Sequence, residues 1–313
     1  MLQTLSPWRK VWLYVALLLV CAGIGSMLVL AAVGVIWGVP LADIPGFLGS
    51  PDTPGEVEAV KWLNSLSLVL AFLCSALLMR WLGGRAAVNG FMLNDMGWLI
   101  IVVPFLLISA SAPIDLSSQL NNWLIPEGGM LEKWFKPMED QAERLTDAML
   151  LSQSTGQLIT TLLAIGVVPA ICEEFAFRGT LQPLLAKATG RMHASVWITA
   201  AVFSAIHFQM YGFLPRLLLG ALLGYLVIWT GSLWTSILAH LFNNCLAIVM
   251  YNVWGGQLET PDDSVASTIP AYIMSLITFA MLIAVLLKYS RWPQYRKAYL
   301  GLPEEEKADT VSP

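Results

Sequence analysis

Charge is the scarcest ingredient of this 313-residue chain: Asp, Glu, Lys and Arg together supply 12% of it, and histidine occurs three times. A soluble protein carries about twice that charged fraction. With 57% hydrophobic residues and a mean hydropathy of +0.68, the composition excludes an ordinary soluble domain and calls for a membrane protein. The formal charge is −4, and no basic block or aromatic-basic interleaving is present. Nucleic acid is therefore not an expected partner. The four cysteines, Cys21, Cys74, Cys172 and Cys245, form no CxxC pair and sit in or beside apolar runs, so buried reduced thiols are expected. An HExxH zinc helix is absent, as is an internal repeat of the kind that builds transporters.

What remains is a set of long apolar runs. Val11–Trp37 has no charge and follows Arg9 and Lys10. A secretory signal has an apolar core of only about 7–15 residues, so this run reads as an uncleaved first membrane helix. Further spans are expected at Trp62–Met79, Gly97–Ile114, Gly156–Cys172 or beyond, His193–Met210, Leu217–Thr230, Leu233–Tyr251 and Ile269–Leu287. The fold class is all-α: one polytopic membrane domain over residues 1–313, a bundle of about eight helices.

Alternating those spans from an inner N-terminus puts twelve basic residues inside (Arg9, Lys10, Arg80, Arg85, Arg178, Lys187, Arg191, Lys288, Arg291, Arg296, Lys297, Lys307) and five outside (Lys61, Lys133, Lys136, Arg144, Arg216). This asymmetry follows the positive-inside bias and places both termini in the cytoplasm. The outer connection 38–61 reads as an irregular loop. The other outer connection, 116–154, carries Leu131, Trp134, Phe135, Met138, Ala142, Leu145 and Met149 at helical spacing. It reads either as a helix on the outer leaflet or as a cap packed on the bundle. The acidic tail 301–313 reads as disordered.

Three polar intrusions break the apolar frame. In Ile171–Arg178, ICEEFAFR, two glutamates enter from an uncharged run. Ionisable groups in lipid are costly, which makes them functional candidates. Adjacent helical residues point about 100° apart, so Glu173 and Glu174 cannot both face one small site. Glu174 and Arg178 are four apart in the favourable order for an ion pair. Glu173 falls on a stripe with the small residues Gly166, Pro169 and Ala170, where a desolvated carboxylate suits general-base work. His207 ends Phe203–His207, FSAIH; alone it would read as a hydrogen-bonded core residue. His240, Asn243 and Asn244 share one side of a helix, and alone would read as interhelical hydrogen-bonding groups.

EEFAFR is an EExxxR, FSAIH an FxxxH, and His240–Asn244 an HxxxN. In this order they resemble the three motifs of the CPBP intramembrane proteases, the family of CAAX prenyl-protein endopeptidases and bacterial Abi bacteriocin-immunity proteins. The motif-bearing core is residues 156–251. The resemblance implies a membrane endopeptidase acting on a membrane-associated protein, prenylated at a CAAX sequence in the eukaryotic relatives. It implies Glu173 as the base that activates water with help from His207, His240 and Asn244 as orienting or oxyanion-stabilising groups, and Glu174, Arg178, Phe203 and Asn243 in support. Glu173, His207 and His240 would also make a three-ligand zinc site with an open position; a metal-free glutamate protease is the other form the family has been given. A bacterial inner membrane is the expected location. The expected partners are lipid and a peptide or protein substrate, and nothing in the sequence sets an oligomeric state. A catalytically idle scaffold, regulator or immunity protein is the alternative function, and a transporter with an intramembrane proton path is a third.

Overall fold

The computed structural model describes residues 4–83, 98–125, 128–254, 265–290 and 300. Every regular element among them is helical. In chain order these are α1 (Pro7–Ile36), α2 (Ile44–Gly49), α3 (Pro54–Leu82), α4 (Leu99–Leu124, pausing at Ala110), α5 (Met130–Leu150), α6 (Thr155–Thr189), α7 (Met192–Ala205), α8 (Phe213–Thr230), α9 (Leu233–Val253) and α10 (Val265–Lys288). Seven of them are long and apolar enough to cross a membrane: α1, α3, α4, α6, α8, α9 and the Ile269–Lys288 part of α10. The expected span His193–Met210 is instead the 14-residue α7, about 21 Å long against a hydrocarbon core of about 30 Å. It stops because Phe208 adopts φ +54, a left-handed conformation that costs a bulky residue energy and ends the helix.

Local chemistry sets the other ends. Thr53 and Glu56 form a capping box, which starts α3 eight residues before the expected Trp62 and makes part of the anticipated loop helical, as does α2. Lys61, expected among the outer loop charges, is buried in α3, where its Nζ donates to Glu58 at 2.7 Å and Thr161 at 2.9 Å. Gly190 and Gly231, with φ of +67 and +70, are left-handed caps that turn α6 into α7 and α8 into α9 within a few residues.

The largest departure is α6. The expected span ended near Cys172 "or beyond"; the helix runs on through Arg178 to Thr189. It survives two internal prolines by widening into π-helical turns at Leu162–Val167 and Phe177–Leu181. Proline lacks an N–H and crowds the carbonyl four residues back. For Pro169 and Pro183 those carbonyls, Ile165 and Gly179, lie in the two widened turns. The nine-residue segment Val168–Ala176 between them carries both glutamates, and π turns recur at functional sites.

The ends of the bundle differ. At one end α1 begins, and α3 and α6 finish: Val11, Tyr14, Met79, Phe177, Leu181, Leu184, Leu185 and Phe203 form a continuous apolar core, and Tyr14 donates to the Ala176 carbonyl at 3.1 Å. Arg9, Lys10, Arg80, Lys187, Arg191 and Lys288 cluster at the helix termini on this side, which we call the basic end. At the opposite end Leu150 of α5 packs with Ile248, Tyr251, Leu158 and Leu162. Here α5 acts as a cap: Tyr251 donates to Asp147 at 2.9 Å, Asn252 to the Leu150 carbonyl at 2.9 Å, and the Tyr211 N–H to Glu139 at 3.4 Å. Its apolar stripe divides between the bundle and the surface. Phe135, Ala142, Leu145 and Met149 turn inward, while Leu131, Trp134 and Met138 are exposed. The four cysteines are free thiols. The tail 301–313 lies outside the described residues, as do Arg85, Arg291, Arg296, Lys297 and Lys307 of the charge tally.

Candidate active site

The three polar intrusions meet at the floor of one cavity of about 680 Å³. Glu173 comes from α6, His207 from the turn after α7, His240 and Asn244 from α9, and all four line it. Around them the wall is mainly apolar: Leu68 and Phe72 from α3, Ile165 and Pro169 from α6, Ile206, and Ala247 and Ile248 from α9. Thr146, Met149 and Leu150 of α5 and Asn64 of α3 line it toward the α5 end. The polar surface therefore reaches further than the motif cluster alone.

Glu173 and Glu174 have different surroundings, as their angular separation requires. Glu173 faces the cavity. Glu174 lies behind it, fully buried, and accepts from Arg178 Nη1 at 2.7 Å, from His240 Nδ1 at 2.9 Å and from the Ser236 hydroxyl. Arg178 is also fully buried and donates from Nη2 to the Gly220 carbonyl at 2.9 Å. The Cβ of any larger residue at 220 would meet Phe203 at 3.2 Å and Ala200 at 3.3 Å, so this carbonyl is reachable because glycine lets α8 approach α7. Arg178, counted as an inner loop charge in the sequence, is thus a mid-helix residue within a buried network. Two such charges in an apolar interior need this degree of pairing.

His240 joins the two glutamates. Its Nδ1 proton goes to Glu174, because a carboxylate can only accept. In the neutral ring Nε2 is then an acceptor, and it points to Glu173 Oε2 at 3.8 Å. That separation exceeds hydrogen-bond length, so both atoms are available to the cavity. His207 is set the same way: Nδ1 lies 2.7 Å from the Phe203 carbonyl, which takes its proton and leaves Nε2 as an acceptor. Phe203 is the common spacer, with its ring centroid 4.5 Å from the Arg178 guanidinium carbon, 5.1 Å from the His207 ring and 5.9 Å from the His240 ring. Phe203→Leu is expected to loosen both imidazoles and lower kcat by about ten- to a hundredfold with little change in KM, since small misplacements of reacting groups cost rate. A KM effect alone would assign Phe203 to substrate binding instead.

Asn244 lines the cavity one turn beyond His240, while Asn243 does not and donates to Asn244 Oδ1 at 3.5 Å. Among the described residues, no group of three His, Cys, Asp or Glu side chains is placed to hold a metal ion. Glu173, His207 and His240 share a cavity without assembling the zinc ligand set considered above, and no step below runs through a metal.

One lining residue escaped the sequence reading. Arg216, counted as an outer loop charge, sits in the first turn of α8 with its guanidinium in the cavity wall, 2.8 Å from Gln209 Oε1. Its signal was available: it is the one charge in the apolar run Phe213–Thr230.

Depth also needed the structure. At 1.5 Å per residue, His240 lies about 10 Å from the Leu233 end of α9. Glu173 lies about 24 Å from the Thr189 end of α6, not within 8 Å of a face, because the helix continues.

No curated protein and no solved structure matches the chain. A family model does: type II CAAX prenyl endopeptidase Rce1-like, over residues 155–246. The matched stretch starts with α6 and ends two residues past Asn244, so it holds every motif residue on the cavity floor. The chain therefore carries an Rce1-like domain at residues 155–246, and an intramembrane endopeptidase is the general activity that such a domain supports.

Proposed function

We propose that the protein hydrolyses a peptide bond of a membrane-associated protein, with Glu173 as the base that activates water. The observation that carries this reading is the division of labour between the glutamates: one carboxylate is saturated by three donors, and its neighbour faces a cavity that His207 and His240 also line, with His240 Nε2 3.8 Å away. Glu173 takes a proton from water as the water oxygen attacks the carbonyl carbon. The water's second O–H donates to an imidazole Nε2, that of His207 or His240, which orients it. Asn244, whose Oδ1 faces Asn243, offers its Nδ2 to the developing oxyanion. The proton held by Glu173 then passes to the leaving nitrogen as the C–N bond breaks. A peptide from a prenylated CAAX-type protein is the first substrate to test.

The test is product identification. Purified protein incubated with an S-farnesylated CAAX-type peptide, and with a panel of membrane-segment peptides, should yield fragments whose masses sum to the substrate plus one water. A Glu173→Ala preparation should yield none. Equal cleavage by both would contradict Glu173 as the base, and no cleavage of any peptide would favour the idle scaffold.

Orientation belongs to the same proposal. The basic end faces the cytoplasm, with both termini, in a bacterial inner membrane; the clustering of Arg9, Lys10, Arg80, Lys187, Arg191 and Lys288 supports this. Reporter fusions at Asp52 and Glu139 should report the outer compartment. A cytoplasmic signal at either would reverse the assignment.

A further inference from the structure

The cavity floor is closed on one side and continuous on the other. Toward the basic end, Glu173 and His240 are backed by the buried Glu174–Arg178–Ser236 network. Below that, Phe177, Leu181, Leu184, Leu185 and Phe203 pack with Val11 and Tyr14 into solid apolar core. Phe177 and Phe203 meet edge to face with centroids 5.3 Å apart, and Arg178 fills the space beside them with no exposed surface. The other direction differs. Phe72, on the second half of α3, packs against that core; the other lining residues beyond the floor lie at mid-height or toward the α5 end: Leu68 at the midpoint of α3, Asn64 on its first half, Ile165 on the first half of α6, Arg216 in the first turn of α8, Ile248 near the end of α9, and Thr146 on α5 itself. Asn64 and Thr146 are exposed, so the lining reaches the protein surface toward that end.

The geometry points to a site served from the non-cytoplasmic side of the membrane. Its substrate would be a translocated protein or peptide that presents an extended apolar segment at the outer face. This rests on the orientation and the endopeptidase reading above, and of the two kinds of peptide in the test above it expects the membrane-segment peptides, rather than the farnesylated one, to be cleaved. Among the described residues, an apolar core of about two helical turns closes the basic-end approach to Glu173 where α1 packs on α6. The outer route is polar enough to wet and apolar enough to hold side chains. Arg216 stands along it, hydrogen-bonded to the neutral Gln209 at 2.8 Å and 3.4 Å, and among the described residues no carboxylate pairs with it within 4.0 Å. An arriving segment with an anionic group near its reactive bond would meet that guanidinium on the way to the floor.

Cysteine accessibility tests this without requiring turnover. In a full-length background with Cys21, Cys74, Cys172 and Cys245 replaced by serine, single cysteines are placed at Asn244 (floor) and Thr146 (rim), with Glu139→Cys and Arg191→Cys as face markers. A membrane-impermeant maleimide is applied to right-side-out spheroplasts and to inverted vesicles. Asn244→Cys and Thr146→Cys should react at least tenfold faster in spheroplasts, in step with Glu139→Cys and opposite to Arg191→Cys. Reaction of Asn244→Cys from inverted vesicles, or from neither face, overturns the inference. If that variant does not accumulate, Thr146→Cys reacting from inverted vesicles overturns it equally. Because labelling is read in the absence of substrate, an inactive protein would sink the endopeptidase reading and leave the side of access decided.

Discussion

Glu173→Gln should abolish hydrolysis while leaving the melting curve where it is. The amide keeps the shape of the carboxylate but cannot take a proton from water. General-base contributions run to about 10²–10⁴-fold, so a loss on the order of 10³-fold or more in kcat is expected, with KM little changed. The fold should be indifferent, because no hydrogen bond in the buried network ends on Glu173; His240 Nε2 faces it from 3.8 Å. A Glu173→Gln protein that melts well below wild type would mean that this carboxylate holds the bundle together.

The neighbouring network should answer in the opposite way. Arg178→Ala removes the cation from a pair with no exposure on either side, leaves Glu174 buried against Ser236 and His240, and frees the Gly220 carbonyl. Breaking a buried pair by deleting one partner costs about 3–5 kcal/mol, a large part of a protein's marginal stability. The melting temperature of the purified protein in a fixed detergent should therefore fall steeply. Glu174→Gln should act alike, since its amide group turns a donor toward Arg178, Ser236 or His240, where three donors already converge. Activity should fall with it, because Glu174 sets which nitrogen of His240 carries the proton. Unchanged melting of both variants, with purely catalytic losses equal to that of Glu173→Gln, would dissolve the distinction between the two glutamates.

The sequence disclosed the elements that obey short-range rules. Uncharged runs marked the membrane helices, and i, i+4 spacing paired Glu174 with Arg178 and put Asn244 under His240. Three motifs in order on successive helices marked one site. Properties set by tertiary packing stayed hidden. Charges normally announce the end of a membrane helix, so Glu173–Arg178 looked like the end of α6; their burial in a network from α8 and α9 is what allows the helix to continue to Thr189. Lys61 and Arg216 were counted as loop charges for the same reason, although one is neutralised inside the bundle and the other lines the cavity. His240 touching both glutamates, through opposite ring nitrogens, needs a third helix at a particular rotation, which no spacing within α6 specifies. The end of α7 at a left-handed Phe208 has no sequence mark, since apolar residues continue beyond it.

Formate rescue of Glu173→Ala tests most directly whether Glu173 is the base. Removing the side chain empties the carboxylate's place in a cavity that already holds some 680 Å³, enough to admit a small external acid. The account predicts a folded protein whose hydrolysis of the cleaved peptide is at least about 10³-fold slower than wild type, and whose rate rises with added formate. A folded Glu173→Ala protein that cleaves the same bond at the wild-type rate without formate would contradict it.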